Sequence, residues 1–160
     1  MKGRFEIMDK IRGFEIAKGF ENKEINLPIR KTKYSAGYDV EAAEDCIIQP
    51  YKFGQKPILV KTGLKAYFPK DEYLMICNRS SNPFKKGLVM ANSIGIIDSD
   101  YYGNPDNDGH FMYAFYNFFD AALEIKKGDV IGQAIFQKYL LIDNDITNTE
   151  RIGGFGSTSK

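Results

Sequence analysis

Two carboxylates one residue apart stand out in the segment 97–103, which reads IDSDYYG. In an extended strand, residues i and i+2 point to the same face, so Asp98 and Asp100 would lie side by side. Paired carboxylates can bind a cation or accept a proton. The segment is not the calcium loop of an EF-hand, because Tyr102 and Gly109 stand where that loop needs oxygen ligands. From these residues alone, we interpret the segment as the polar end of a β-hairpin.

Two further segments contain residue types that bind phosphate groups. The glycine-rich stretch 153–158 offers unblocked backbone amides and two hydroxyl groups, and Arg151 lies just before it. The triplet Arg79-Ser80-Ser81 combines a planar guanidinium with small hydrogen-bond donors. The tail is not a Walker loop, since no lysine follows a glycine in it. Taken singly, these segments are a polar tail and a solvated loop, but together they indicate a phosphorylated ligand held by loops.

A polar loop, 104–109, precedes the only histidine of the chain, His110. Our default interpretation of this segment is a solvent loop. The alternative is an insertion that binds a partner protein. Because His110 closes this loop, we expect it at the surface rather than in a catalytic role.

The elements that must position these residues read as strands. Apolar and polar residues alternate, or apolar runs occur, between Gly, Pro, Asn and Asp punctuation. Twelve Phe and ten Tyr also favour strands over helices. One helical turn is predicted at 81–87, with Asn82 as cap, Pro83 at the first helical position and Gly87 as the stop. The pattern predicts an all-β antiparallel barrel or sandwich. The predicted strand regions are 58–68, 73–77, 88–97, 110–119 and 130–141.

Composition limits the possible classes of function. A chain of 160 residues with 43% hydrophobic residues is expected to form one domain with an ordinary core. A net charge of +1 argues against binding nucleic acid through a large basic face. Cys46 and Cys77 lack zinc spacing and suit a reducing compartment. No segment has the length or pattern of a membrane span or secretory signal, so we expect a cytoplasmic protein.

Five segments, in order along the chain, resemble the five motifs of the trimeric dUTPases. The third is the strongest match, and together they cover most of the chain. The motifs are 35–40 (SAGYDV), 79–81 (RSS), 92–103 (NSIGIIDSDYYG), 128–133 (GDVIGQ) and 151–158 (RIGGFGST).

The resemblance implies a jelly-roll-like antiparallel β barrel that assembles as a homotrimer with sites shared between subunits. It implies a barrel domain at 1–142, including a charged extension at 1–12, and a C-terminal arm at 143–160. The arm is expected to be mobile until it closes over a nucleotide. The implied activity is hydrolysis of dUTP to dUMP and pyrophosphate with Mg²⁺, which limits uracil in DNA and supplies dUMP for dTMP synthesis.

The resemblance also implies roles at the phosphates. Asp98 would be the general base for water attack on the α-phosphorus, and Asp39 would hold Mg²⁺ through a water molecule. Most of the catalysis would come from charge stabilisation by the metal and by hydrogen-bond donors. Arg79 would also lie near Asp98. The residues expected to contact the phosphates or close over them are Arg79, Ser80, Ser81, Gln133, Arg151, Gly154, Gly156, Ser157 and Thr158.

A second set of residues is implied at the base and the sugar. Asn92 and the hairpin backbone beside it, including Gly95 and Ile97, would pair with uracil and leave no room for a methyl group. Tyr101 would lie against the sugar and exclude a 2′-hydroxyl group. Phe155 would stack on the base.

Some positions depart from the family pattern. Asn78 replaces a proline, Val130 replaces an arginine, Ser159 stands where glycine is common, and the gap from Arg151 to Phe155 is one residue short. Two alternatives stay open. The related dCTP deaminases share the fold, but they need a glutamate base that is not evident beside the pyrimidine site. The second alternative is a regulatory or interaction protein that keeps the dUTPase fold.

Overall fold

Eleven strands and one short α-helix make up the regular structure of this chain in the computed structural model, which describes residues 9–149. A single 3-10 turn, Ser99–Tyr101, is also present. The strands and the helix, in chain order, are β1 (Gly13–Ile16), β2 (Tyr38–Glu41), β3 (Cys46–Ile48), β4 (Ile58–Lys61), β5 (Leu64–Tyr67), β6 (Glu72–Asn78), α1 (Ser81–Lys86), β7 (Leu88–Met90), β8 (Ile94–Asp98), β9 (Met112–Asn117), β10 (Leu123–Ile125) and β11 (Val130–Lys138).

The strands pair in an antiparallel manner throughout the named sheets. The largest sheet has the order β2-β11-β6-β8, and a three-stranded sheet has the order β4-β9-β7. Two smaller sheets pair β1 with β5 and β3 with β10. The predicted all-β class and antiparallel architecture are confirmed.

The core lies between the four-stranded and the three-stranded sheets. Along β6, Leu74 and Ile76 point inward while the residues between them point outward, as the two-residue period of a strand requires. From β9, Tyr113 and Phe115 fill the other side, with their rings stacked at a centroid distance of 5.7 Å. Each such buried side chain stabilises the fold by about 1.5–3 kcal/mol. One face of the four-stranded sheet is thereby fixed as the inner face.

The strand predictions are confirmed in the long segments and incomplete elsewhere. The region 58–68 is two strands, because Gly63 has a φ of +69° and turns the chain between β4 and β5. The region 88–97 is likewise two strands, β7 and β8. The sequence reading missed β1, β2, β3 and β10, which have only three or four residues each. Such short segments cannot show a clear period.

The predicted helical turn is present, but its predicted cap is wrong. The residue before the helix is Ser80, which makes no capping hydrogen bond through its side chain. Asn82 lies inside the helix and is buried, and its amide donates to the Asn78 side chain (2.7 Å) and to the Ile131 carbonyl (2.9 Å). Gly87 ends the helix in the left-handed region at φ +62°, as predicted. No helix in residues 9–149 combines the length and the apolar character needed to cross a membrane.

His110 is buried, so the predicted surface position is wrong. Its Nε2 accepts hydrogen bonds from the backbone amides of Thr62 (3.3 Å) and Gly63 (3.0 Å). The Phe20 ring packs against the imidazole at a centroid distance of 4.7 Å. Burial, with a smaller effect from Lys61, lowers the pKa of His110 to about 4. The histidine is therefore a neutral acceptor that ties the β4–β5 turn to the chain before β9.

Loop 104–109 packs against the barrel, so the default interpretation as a solvent loop is wrong for much of it. Asn104 and Gly109 are buried, while Pro105 and Asp106 are exposed. Asp108 accepts hydrogen bonds from Lys65 Nζ (2.7 Å) and from the backbone amide of Lys18 (2.9 Å). The loop is therefore held by β5 and by the segment after β1. Its possible role in binding a partner stays a prediction.

Candidate active site

Gln133 occupies the middle of the four-stranded sheet, on its outer face. In β11 it pairs with Asp39 of β2 on one side and with Cys77 of β6 on the other. Residues paired in this way point to the same face. Gln133 Nε2 donates to Asp39 Oδ1 at 3.4 Å, and Asp39 is only 8% exposed. Two residues predicted for the phosphates and the metal are thus brought together.

The backbone at Gly132 and Gln133 packs against the core residue Tyr113. Gly132 lies against the Tyr113 ring so closely that an added Cβ would stand 2.2 Å from Cε1. The Tyr113 hydroxyl donates to the Gln133 carbonyl at 2.7 Å. Burial raises the pKa of Tyr113 well above its ordinary value, so the phenol stays protonated. Only glycine fits at position 132, and the Tyr113 hydroxyl fixes the backbone of Gln133 from the core side of the sheet.

Arg79 follows β6 directly, and Asn78 holds its backbone. Asn78 Oδ1 accepts from the Arg79 amide (2.9 Å) and from Asn82, and Asn78 Nδ2 donates to the Leu88 carbonyl (2.8 Å). The Arg79 Nη1 atom is 3.5 Å from the Val130 carbonyl. Asn78, which replaces the usual proline, thus joins the Arg79 loop to α1 and β7. We call Asp39, Arg79 and Gln133 the amide end of the site. Ser80 and Ser81 follow at the start of α1.

Asp98 ends β8, which is an edge strand of the sheet, and it is paired with Tyr73 of β6. The 3-10 turn begins at the next residue, so Asp100 is not in the strand. The expectation that an extended backbone places Asp98 and Asp100 on one face is therefore wrong. Both residues nevertheless border a cleft of about 770 Å³, within the range of small-molecule sites. We call Asp98 and Asp100 the aspartate end.

The cleft at the aspartate end includes residues that the sequence reading did not select. Lys70 and Tyr139 line it together with Asp98. The Tyr139 hydroxyl donates to the Lys70 carbonyl at 2.6 Å, which fixes the backbone that carries the lysine. Neither residue belongs to a motif, so only the contact between the β5–β6 connection and the end of β11 reveals them.

The two ends are well separated within one chain. Gln133 pairs with Cys77, and Asp98 pairs with Tyr73, four residues back along β6. At about 3.3 Å per residue and about 4.8 Å per strand, this is about 13 Å along the strands and about 10 Å across them. Arg79 lies still further from Asp98. One chain therefore does not bring Arg79 and Asp98 together.

The outer face between the two ends is apolar. Met75, Ile96 and Ile135 lie there in adjacent strands, and Ile94 stands beside Cys77. Ile94 and Ile96 are 44% and 51% exposed. This apolar band, defined as Met75, Ile94, Ile96 and Ile135, separates the amide end from the aspartate end.

Residues predicted for the base lie on the β7–β8 connection and on β8. β7 pairs with β9 whereas β8 pairs with β6, so this connection crosses between sheets and the expected hairpin is wrong. Asn92 is exposed in the connection. Gly95 is buried against Ile76, where an added Cβ would stand 2.4 Å from Cγ1. Ile97 is half-buried and packs against the core.

Tyr101 ends the 3-10 turn and is 8% exposed. Its hydroxyl accepts from Asn107 Nδ2 at 2.6 Å and lies 3.4 Å from the His110 carbonyl. Six predicted site residues lie outside the described part of the chain. They are Arg151, Gly154, Phe155, Gly156, Ser157 and Thr158.

Residues 9–149 contain no group of three or more His, Cys, Asp or Glu side chains that could hold a metal ion. Mg²⁺ commonly keeps several water ligands and binds one or two carboxylates together with substrate phosphates. The buried carboxylate of Asp39, one oxygen of which accepts from Gln133, fits that mode of binding and does not form a protein cage.

Comparisons with known proteins agree on one family. The dUTPase family model matches residues 23–159. The deoxyuridine 5'-triphosphate nucleotidohydrolase of Lactococcus lactis is 49% identical over 93% of this chain and 98% of its own length. A crystal structure of the dUTPase from Streptococcus mutans has a TM-score of 0.76 and 42% identity, covering 82% of this chain and 99% of that one.

A dUTPase from phage phi11 of S. aureus shares the fold, with a TM-score of 0.65 at 19% identity over 88% of this chain and 97% of its own. That structure is described as showing the coordination of a structural Mg(II) ion. The family match spans most of the residues described above, including Asp39, Arg79, Asp98 and Gln133. The chain belongs to the dUTPase family.

Proposed function

We propose that this chain hydrolyses dUTP to dUMP and pyrophosphate. The observation that carries the proposal is the amide end of a chain of the dUTPase family. There the Asp39 carboxylate is hydrogen-bonded to the Gln133 carboxamide. Arg79 Nη1 lies 3.5 Å from the carbonyl of Val130, in the same strand as Gln133. Arg79 and Gln133 supply the donors that a polyphosphate needs.

The reaction is a water attack at the α-phosphorus. The water oxygen forms a bond to this phosphorus, and the bond from the phosphorus to the oxygen bridging to the β-phosphate breaks. The electron pair leaves with pyrophosphate. Asp98 accepts the proton of the attacking water, and its exposed position at the end of β8 gives water and substrate access to the carboxylate.

The donors at the amide end stabilise charge on the phosphates as it redistributes. Gln133 contacts the α-phosphate or its waters, Arg79 contacts the phosphate oxygens, and Ser80 and Ser81 follow at the start of α1. Arg151 and residues 154–158 of the arm complete the enclosure and exclude bulk water. Phe155 stacks on the base. These arm roles rest on the motif alone.

Mg²⁺ is the proposed cofactor, held through water by Asp39. When bound, it neutralises negative charge on the phosphate oxygens. The Gln133 hydrogen bond orients the Asp39 carboxylate, so that the other oxygen can accept from a water molecule. Removal of Mg²⁺ with a chelator should therefore suppress turnover, and its return should restore turnover.

We further propose that sites form between copies, in a homotrimer. Asp98 and Arg79 must both act at one phosphorus, yet they lie at opposite ends of β6 in a single chain. A second copy that covers the apolar band would bring its aspartate end to the amide end of the first. The exposure of Ile94 and Ile96 supports such a contact, because a partner surface would bury them.

Selectivity for uracil is proposed to reside in Asn92 and the backbone at Gly95 and Ile97. Donation to O4 of the base would leave an unfavourable contact with the amino group of cytosine, which rejects dCTP more strongly than shape does. Tyr101 limits the space at the sugar. The two free cysteines, Cys46 and Cys77, fit the proposed cytoplasmic location.

The decisive experiment measures pyrophosphate release from dUTP, dTTP, dCTP, dATP, dGTP and UTP, with and without Mg²⁺. We expect strong preference for dUTP and dependence on Mg²⁺. Equal turnover of dTTP would contradict the uracil assignment. Ammonia release from dCTP would instead identify a deaminase, the related activity on this fold.

A further inference from the structure

Loop 104–109 is bonded to the side chain of Tyr101. Asn107 Nδ2 donates to the Tyr101 hydroxyl at 2.6 Å and also lies 3.3 Å from the His110 carbonyl. The second polar atom of the same side chain, Oδ1, accepts from the Gly109 amide at 3.1 Å. Both polar atoms of the Asn107 carboxamide are therefore hydrogen-bonded, and its shortest hydrogen bond is the one to the Tyr101 phenol.

The backbone of the loop also packs on Tyr101. Gly109 has a φ of +82°, and an added Cβ there would stand 2.6 Å from the Tyr101 carbonyl oxygen. The Asn104 amide donates to that same carbonyl at 3.1 Å. The loop thus holds the end of the 3-10 turn through its backbone and holds the phenol through Asn107.

The loop is itself anchored to the barrel. Asp108 is paired with Lys65 of β5 at 2.7 Å, and both side chains are largely buried. The Lys65 ammonium also lies 4.9 Å from the centroid of the Tyr102 ring. Because the loop is fixed to β5, it holds the 3-10 turn that directly follows Asp98 in place relative to the barrel.

We propose that Asn107 is a positioning residue that fixes the Tyr101 phenol and thereby sets the rejection of ribonucleotides. The inference rests on the proposed function, in which Tyr101 limits the space at the sugar. With the hydroxyl held by Asn107, the ring cannot withdraw toward the loop to admit a 2′-hydroxyl group. The insertion 104–109 is then part of the specificity machinery.

Rejection by shape is sensitive to small movements. A pocket that excludes an added hydroxyl group by space alone discriminates by about 100-fold. Removing the support lets the phenol shift, and discrimination should fall by about tenfold. Hydrolysis of dUTP should change much less, because deoxyribose has no 2′-hydroxyl group and fits without any movement of the Tyr101 ring.

The test is a double-mutant cycle with Asn107→Ala, Tyr101→Phe and the double variant. For each, kcat/KM is measured with dUTP and with UTP, and folding is checked by thermal melting. Asn107→Ala and Tyr101→Phe should each raise the UTP/dUTP ratio of kcat/KM by about tenfold, and the double variant should show no further rise. Tyr101→Phe removes the same hydrogen bond from the other partner, so it still tests the proposal if Asn107→Ala does not fold.

Asp106→Ala is the matched control, since Asp106 lies in the same loop with an exposed side chain. It should leave the ratio unchanged. An unchanged ratio in Tyr101→Phe, or independent and additive changes in the double variant, would overturn the proposal while dUTP hydrolysis stands. Wild-type protein that does not hydrolyse dUTP would refute the proposed function itself, and the inference with it.

Discussion

The amide end and the aspartate end of the outer face are built in opposite ways. Gln133 sits in β11, with a paired strand on each side and the Tyr113 hydroxyl bonded to its carbonyl. Asp98 sits at the exposed end of β8, an edge strand followed at once by a 3-10 turn. Gln133, which is proposed to contact the α-phosphate, is thus in the most constrained part of the sheet, and the proposed base is at its border.

This difference suits a site assembled from more than one copy. An edge strand can approach another molecule, whereas a central strand cannot. A central strand holds donors in fixed positions, which electrostatic stabilisation of a transition state requires. The apolar band between the two ends gives the approaching copy a surface to bury.

The largest effect is expected from removing the base. Asp98→Asn should lower kcat for dUTP by about 1,000-fold, because proton transfer to a positioned base contributes about 100- to 10,000-fold. Binding of dUTP, measured by calorimetry, should stay close to that of the wild type, since the amide end still holds the phosphates. Asp100→Asn, which changes the other aspartate bordering the cleft, should keep near-normal turnover. A variant at position 98 with near-full turnover would overturn the mechanism.

Mixing two inactive variants tests whether the ends meet between copies. Asp98→Asn chains and Arg79→Ala chains, co-expressed in equal amounts and assembled at random, should give intact pairs in about a quarter of the sites. Turnover of the mixture should then approach about a quarter of the wild-type value, far above either parent. Activity no greater than the average of the two parents would count against sites shared in this way.

A glycine in the central strand β11 and one in the edge strand β8 should differ in their tolerance of a methyl group. Gly132→Ala places a Cβ 2.2 Å from a Tyr113 ring that is stacked in the core, and neither flanking strand can move aside. We expect a loss of about 3 kcal/mol in the free energy of unfolding, measured in urea. Gly95→Ala, against Ile76 but on the edge strand, which can shift more readily, should lose about 1 kcal/mol. Equal losses would mean that the central and edge strands are equally constrained.

The sequence was sufficient where a pattern is long or a motif is contiguous. β6, β9 and β11 were predicted because six to nine residues can display their period. The short strands β2 and β3 could not be, although β2 carries Asp39. Residue types and motif order indicated the members of the site, but the distance between Asp98 and Arg79 depends on strand register, which no motif encodes.

The contacts that residues outside the motifs make to hold the site and the loop in place could not be predicted from the sequence either. Asn78 could be noted as a departure from proline, yet its bonds to Arg79, Asn82 and Leu88 appear only when β6, α1 and β7 are packed together. His110 was misplaced for a similar reason. A histidine beside a polar loop resembles a surface residue until the β4–β5 turn presents two backbone amides to it.

The His110 contact gives a smaller effect than Gly132→Ala, and it concerns the region that holds loop 104–109 rather than either end of the site. Burial, followed by the charge of Lys61 and opposed by that of Glu44, lowers the pKa of His110 from its ordinary value of 6.5 to about 4. Between these values the unfolded chain binds more protons, so stability falls as the pH drops from 6.5 toward 4. The His110 contribution at pH 5 should be about 2 kcal/mol lower than at pH 7.

The variant His110→Gln isolates this contribution, because glutamine can accept from the same amides and does not titrate. Its free energy of unfolding should depend on pH less steeply than that of the wild type between pH 7 and pH 5, by about 2 kcal/mol. The carboxylates that also titrate are common to both proteins and cancel in the comparison. Equal slopes in the two proteins would show that His110 is protonated in the folded state as readily as in the unfolded chain. The bonds to Thr62 and Gly63 would then not hold this region together.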